Sequence, residues 1–320
     1  MKKILAVLIC LATTIFVCAC NSNDSDKEKT EAKDSNAALT IGILPDTQSI
    51  PIVVADHFGY FAEEGCNINV ELFASAAERD SALQSGNLQL AISDIIAACL
   101  LRQGDFPVVA VSLTDGSQDL LSSPESGITN IEELRGKTLA MSQNTIMEFA
   151  ADTILNYYGL DPNVDVEKTY IPQMTVRMEM LINSQVDAVI MPEPQSGMAM
   201  ASNANLLAEA ADLGIDATCI IALESDKKNE KNEIEGFFRA YNKAVEYLQT
   251  HESQEYMDFV VEEGGFPDTA PEVLKLPDYG IATAPTEETV ETVNAWMLNK
   301  NLLSEAISYD ELVNDEYLPQ

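Results

Sequence analysis

The sequence predicts an α/β protein of two lobes with a helical C-terminal tail. Three observations lead there. Short apolar runs alternate with helix-length segments from residue 39 to about residue 224, which is the pattern of βαβ units on a parallel sheet. The alternation runs through twice, once before and once after about residue 120. Beyond that the pattern is helical alone.

In the first half, residues 39–44 (Leu-Thr-Ile-Gly-Ile-Leu) read as a buried strand that Pro45, Asp46 and Thr47 break. A helix over 50–61 follows, then Gly65. Residues 67–73 alternate and put Ile68, Val70 and Leu72 on one face of a second strand. Ser75 and Glu78 stand at capping-box spacing and open a helix over 75–85. Residues 88–92 form a third strand, Ser93 and Asp94 cap a helix to about Leu101, and 107–113 form a fourth strand. In the second half, 137–141 is a strand, and Gln143, Asn144 and Thr145 lead into a helix ending near Tyr158 and Gly159. Thr145 and Glu148 repeat the capping-box spacing. Residues 166–171 form a strand, Thr175 opens a helix to Asn183, 187–191 is a strand, and Pro192 begins the next helix. One more strand covers 218–224. Helices then occupy 233–251, 254–263 and 286–300, with a short one near Ser304. The chain is expected to cross between lobes near 114–124 and 212–225, with the tail packed back on the first lobe.

Ahead of this lies a different kind of segment. Lys2 and Lys3 precede a mostly apolar run over 4–16. Such a run suits a secretory h-region of roughly 7–15 residues and falls short of the about 20 that a membrane-spanning helix needs. Val17-Cys18-Ala19-Cys20 resembles a bacterial lipobox, which makes residues 1–19 a lipoprotein signal peptide and Cys20 the lipid-bearing residue, with palmitate the type of chain expected. Residues 21–37 contain no aromatic and no large aliphatic side chain. They cannot bury enough apolar surface to offset the entropy of ordering, so 20–37 is expected to be a disordered tether.

Composition excludes several classes. The formal charge is −34, which opposes binding to nucleic acid or adsorption to anionic headgroups. Of six cysteines, Cys66, Cys99 and Cys219 lie beyond the signal region; one disulfide can form among them, but not a stapled scaffold. With His57 and His251 the only histidines, no ligand set at zinc-site spacing exists. No metal and no cofactor are expected.

Candidate function sits at the strand ends, because open α/β sheets bind ligands beyond their carboxyl ends, where helix N-termini offer free N–H groups. These ends are polar throughout: 46–49, Ser75, Ser93 with Asp94, Thr114 with Asp115, 142–145, and Glu193. Taken singly, each is a helix cap or a turn. As a set from both halves, they describe the two rims of a ligand cleft.

Four stretches carry a resemblance. Residues 41–65 (IGILPDTQSIPIVVADHFGYFAEEG) hold a strand, a polar turn and a helix closing in Gly-Tyr-Phe and Gly. Residues 83–94 (LQSGNLQLAISD), 131–140 (IEELRGKTLA) and 181–194 (LINSQVDAVIMPEP) follow in order. The four resemble the nitrate/sulfonate/taurine and thiamine-pyrimidine family of ABC-transporter substrate-binding lipoproteins, with Gln89 where that family has an acid and Ser184 where it has glycine. The likeness runs from about residue 39 to 260. It implies a type II periplasmic-binding-protein fold, with 38–120 and 222–320 as lobe I and 121–221 as lobe II. It also implies a monomer, anchored outside the cell by the lipid on Cys20, that closes on a small molecule and delivers it to an ABC permease and its ATPase. The contacts it implies are Asp46, Thr47, Ser75, Ala76, Ser93, Asp94, Thr114, Asp115, Gln143, Asn144, Thr145 and Glu193. Acids dominate these rims, and Arg79 and Arg177 are the only arginines near them. A pyrimidine-like or amine ligand is therefore favoured over sulfonate or nitrate. Two other readings stay open. One is an enzyme on the same fold, pyrimidine- or menaquinone-pathway-like, with His57 as the nearest base. The other is a sensory lipoprotein that presents its ligand to a receptor.

Overall fold

The computed structural model describes residues 38–225 and 227–319. The signal peptide, the lipidated Cys20 and the tether expected from the sequence lie outside the described residues. Among the described residues, ten strands form two five-stranded sheets. The first holds β1 (Leu39–Ile43), β2 (Ile68–Leu72), β3 (Leu90–Asp94), β4 (Val108–Leu113) and β10 (Thr218–Leu223), in the order β2-β1-β3-β10-β4. The second holds β5 (Gln118–Ser122), β6 (Lys137–Met141), β7 (Val166–Tyr170), β8 (Ala188–Pro192) and β9 (Asn205–Glu209), in the order β7-β6-β8-β5-β9.

Neither sheet is purely parallel, contrary to the sequence expectation. β1 runs parallel to β2 and β3, and β6 parallel to β7 and β8, but β10 is antiparallel to both its neighbours and so is β5. The crossings explain this. β4 ends at its sheet's carboxyl edge; the chain then enters the second sheet from the facing edge as β5 and runs against β8. β9 sends it back the same way, as β10. Alternation in a sequence carries no direction, so the reversal was not legible there. Two strands, β5 and β9, were not anticipated either. β5 is fully buried although Gln118, Asp119 and Ser122 are polar, because it has a neighbour on each side and its polar end faces the gap between the sheets.

Helices cover both sheets. They are α1 (Ile50–His57), α2 (Tyr60–Glu63), α3 (Ala76–Gln84), α4 (Ile95–Gln103), α5 (Ile146–Tyr157), α6 (Met174–Ile182), α7 (Gln195–Ala201), α8 (Lys228–Thr250), α9 (Met257–Gly264), α10 (Glu287–Asn299) and α11 (Tyr309–Leu312). The helix expected over 50–61 is split, because Gly59 takes φ +71°, a conformation that ends a helix and that glycine adopts without a Cβ penalty. The short C-terminal helix lies at 309–312 and not near Ser304. One apolar cluster joins β1, α1, α8 and α9, with Ile50, Ile52, Phe237, Phe238 and Tyr241 fully buried. A second runs between the sheets' helices, from Ile95 and Cys99 on α4 through Ile154 on α5 to Val293 and Met297 on α10. The tail therefore does more than cover the first sheet. Trp296 and Lys300 reach Asp152 on α5, 3.1 and 3.2 Å away. The three described cysteines are free and buried, and burial pushes the thiols of Cys66 and Cys99 up to about 11 and 12. No described helix is long and apolar enough to cross a membrane.

Candidate functional site

The cleft is built from caps. Asp46 turns the chain after β1, its Oδ1 accepting from the Gln48 N–H at 3.1 Å. Ser75 caps α3 by accepting from Glu78 N. Asp94 caps α4 through the Ala97 N–H, 2.7 Å from Oδ1, while its other oxygen accepts from Ile146 N, 3.0 Å away. Ile146 is the first residue of α5, on the opposite sheet. One carboxylate thus bridges the N-termini of two facing helices, where positive partial charge gathers. Thr145 caps α5 by accepting from Met147 N.

Around Asp94 lies a small cavity of about 50 Å³. Asp46, Ser75, Ala76, Ser93, Asp94 and Thr145 line it. Arg79 and Arg177 enter it too, and they differ. Arg79 donates to Ile92 O and Ser93 Oγ and pairs with Asp80 at 2.7 Å. Arg177, 1% exposed, donates from Nη1 to Ser142 Oγ at 3.0 Å, and its Nε has no partner among the described residues. Burial lowers its pKa to about 10, and it stays charged at neutral pH. Asp46 is pushed up to about 7 by burial, against the pull of Gln48 N and Arg79. Burial also raises Asp94, against the N–H groups of Ala97 and Ile146.

A larger cavity of about 450 Å³ lies beside it and takes Thr47, Thr114, Asp115 and Glu193. The partition is thin. Asp46 and Gln48 face the small cavity and Thr47 the large one, and Thr114 Oγ1 donates to Gln48 Oε1 at 2.7 Å between them. The C-terminal tail closes one side: Gly280 N donates to Asp115, 2.8 Å, and the Tyr279 hydroxyl to Thr47 O, 2.9 Å. Sequence reasoning missed Asp119 on β5, Glu209 and Asp216 on the return crossing, and Lys275 and Asp278 in the tail, all in this wall. Gln143 and Asn144 line neither cavity. Gln143 is exposed, and Asn144 sits at φ +55° in the turn before α5. His57 is remote as well, stacked on Phe259 and paired with Glu263 at 2.9 Å.

Glu193 stands at the cis peptide to Pro194, before α7, and its Oε2 accepts from Gly197 N at 3.2 Å. Burial, with repulsion from Asp119, pushes it up to about 7. A Cβ on Gly197 would lie 2.5 Å from Val273 O and 2.8 Å from Glu193 Oε2. Gly197→Ala is therefore expected to cost about 1–3 kcal/mol by overpacking and to displace Glu193. Denaturant unfolding measures the cost; an unchanged midpoint would show that the tail yields freely.

The sequence model of the NMT1/THI5-like family matches residues 46–255. A Bacillus subtilis (strain 168) protein named "Putative binding protein YtlA" is 23% identical over 307 residues, covering 89% of this chain and 90% of that one. A Saccharomyces cerevisiae protein, 4-amino-5-hydroxymethyl-2-methylpyrimidine phosphate synthase THI11, is 25% identical over 239 residues, 67% of this chain and 68% of that one. Among solved structures, the alkanesulfonate-binding protein SsuA from Xanthomonas axonopodis pv. citri bound to MOPS superimposes with TM-score 0.71 at 17% identity. The match covers 87% of this chain and 98% of SsuA, and shows that the fold is that of periplasmic binding proteins.

Proposed function

Because the chain belongs to the NMT1/THI5-like family, we propose that it is an extracytoplasmic solute-binding protein that closes two lobes on a small polar molecule and delivers it to an ABC importer. In this reading 38–120 with 222–320 and 121–221 are the lobes, the lipid on Cys20 holds the protein at the membrane, and it acts as a monomer. The carrying observation is the bridge at Asp94, whose carboxylate caps α4 on one sheet and takes the first N–H of α5 on the other. Such a contact exists only when the lobes are together, so a solute touching both rims favours closure by population shift. The ligand we infer is pyrimidine-like or an amine. The SsuA fold and the name of the YtlA protein support the binding role.

The yeast synthase favours a second reading, an enzyme on this fold. The candidate base His57 lies outside both cavities, so catalysis would have to use their carboxyls. Conversion of a bound compound by the purified protein would establish it.

The test of the first reading is a thermal-shift panel on the full-length chain with pyrimidines, thiamine precursors, amines, taurine, alkylsulfonates and nitrate. A true ligand at a hundredfold excess over Kd stabilises by about 2.7 kcal/mol. Asp94→Ala and Glu193→Ala are expected to abolish the shift. A shift that survives both would place the ligand elsewhere.

A further inference from the structure

We propose that the larger cavity receives the positively charged end of the solute, an ammonium or amidinium group, and that Glu193 and Asp119 are its direct acceptors. This rests on the solute-binding reading and names the ligand class.

The charge of the cavity wall is strongly negative. Asp115, Asp119, Glu193, Glu209, Asp216 and Asp278 line the cavity, and Lys275 is the one cationic side chain among the lining residues. Three of these acids already hold a donor: Asp115 takes the Gly280 N–H, Glu209 holds the Lys275 ammonium with both oxygens, at 2.9 and 2.7 Å, and Glu193 takes the Gly197 N–H with Oε2, which leaves its Oε1. The Glu209–Lys275 pair also shows that this wall accommodates an ammonium.

Hydrogen bonding points to the same two acids independently of charge. Glu193 and Asp119 are 6% and 5% exposed. Glu193 Oε1, Asp119 Oδ1 and Gln195 Oε1 make no hydrogen bond of good geometry among the described residues, although the Ser196 hydroxyl lies close enough to both acids to favour their ionised forms. Buried polar groups are normally paired, and an ionised carboxylate can only accept. A partner that brings N–H donors and positive charge satisfies both oxygens and holds the two acids ionised. An oxyanion offers neither.

Size and convergence narrow the class. About 450 Å³ suits a small organic molecule, within the usual range of roughly 300–1,000 Å³. Among the described residues no three His, Cys, Asp or Glu side chains converge closely enough to hold a metal ion. Dispersed carboxylates fit an organic cation whose N–H groups point several ways. Burial pushes Asp119 and Asp216 up to about 6, the latter helped by repulsion from Asp115, so the wall gains from a counter-charge.

The experiment is calorimetric titration of the full-length chain with charge-matched probes: benzamidine against benzamide, and n-butylammonium against n-butanesulfonate, all at millimolar concentration. The cations are expected to bind and their counterparts not to. Glu193→Gln and Asp119→Asn should each weaken the cations roughly tenfold or more, the loss of one charged hydrogen bond. If benzamide or butanesulfonate binds as well as its cation, or the cations bind both variants unchanged, the cation site is wrong. A pyrimidine or sulfonate shift lost in Asp94→Ala would in that case leave the solute-binding reading standing. If no cation binds, the inference falls, while the wider panel still decides the general function.

Discussion

Lys300→Met is expected to destabilise the protein by about 3 kcal/mol, because it strips one cation from a buried ion network. Glu148 and Asp152 on α5 are almost fully buried, and Lys168 and Lys300 neutralise them. Lys300 Nζ lies 2.7 Å from Glu148 and 3.2 Å from Asp152, and Lys168 Nζ lies 2.5 Å from Asp152. The Tyr170 hydroxyl and Asn144 N–H donate to Glu148, and Trp296 Nε1 to Asp152. With Lys300 gone, two carboxylates share one ammonium in a place from which water is largely excluded, and methionine replaces the stem but not the charge. Burial opposes the charge on Glu148, yet the Asn144 N–H and Lys300 hold its pKa below the ordinary range. A depressed acid contributes stability above its unfolded pKa, near 4.3, and loses it as pH falls through the folded value. The cost of Lys300→Met should therefore be full at pH 7 and shrink in acid. Glu148→Gln on the Lys300→Met background should recover part of it. Urea unfolding at pH 7 measures both, and a loss below about 1 kcal/mol, the value of an exposed pair, would mean the network is solvated.

That network marks the limit of what the sequence showed. Local chemistry was readable: Asp46, Ser75, Asp94 and Thr145 all cap where the polar strand ends placed them. Capping depends on residues two or three apart. Glu148 was read as the partner of Thr145, and it does reach back to the Asn144 N–H, but its main partners lie 20 and 152 residues away. No local pattern encodes those. The tail helix with Trp296 was expected on the first lobe, and nothing in its period said that Lys300 would also reach α5. The acidic cavity was half visible for the same reason. Thr114, Asp115 and Glu193 flank strands that were anticipated. Asp119 sits in β5, which the turn-like Gly116 and Ser117 lead into, and Asp216 and Asp278 lie in irregular segments that reach the site only through tertiary packing.

Glu193→Gln should make the protein more stable at pH 8 and nearly unchanged at pH 4.5. The folded pKa of Glu193 is raised to about 7, with burial the main cause. For an acid raised in this way, the folded state binds more protons than the unfolded state between the unfolded pKa, near 4.3, and about 7, so stability falls as pH rises through that window. The contribution of Glu193 is on the order of 2 kcal/mol after allowing for screening at the open side of the cavity. Asp46 at about 7 and Asp119 and Asp216 at about 6 act with the same sign, while Glu148 acts only below the window. The parent should therefore melt progressively lower from pH 5 to pH 8, and Glu193→Gln should flatten that slope. Asp115, also raised by burial, helps keep the variant from losing the slope entirely, while Lys275, held charged beside Glu209, adds nothing to it. A bound ammonium reverses the sense of the dependence, since it favours the ionised acids; its binding should tighten toward pH 8 and release protons near pH 6. The dependence of the calorimetric heat on buffer ionisation enthalpy counts those protons. A parent melting temperature that is flat from pH 5 to 8, or a Glu193→Gln slope equal to the parent's, would show that these acids are solvated like any on the surface.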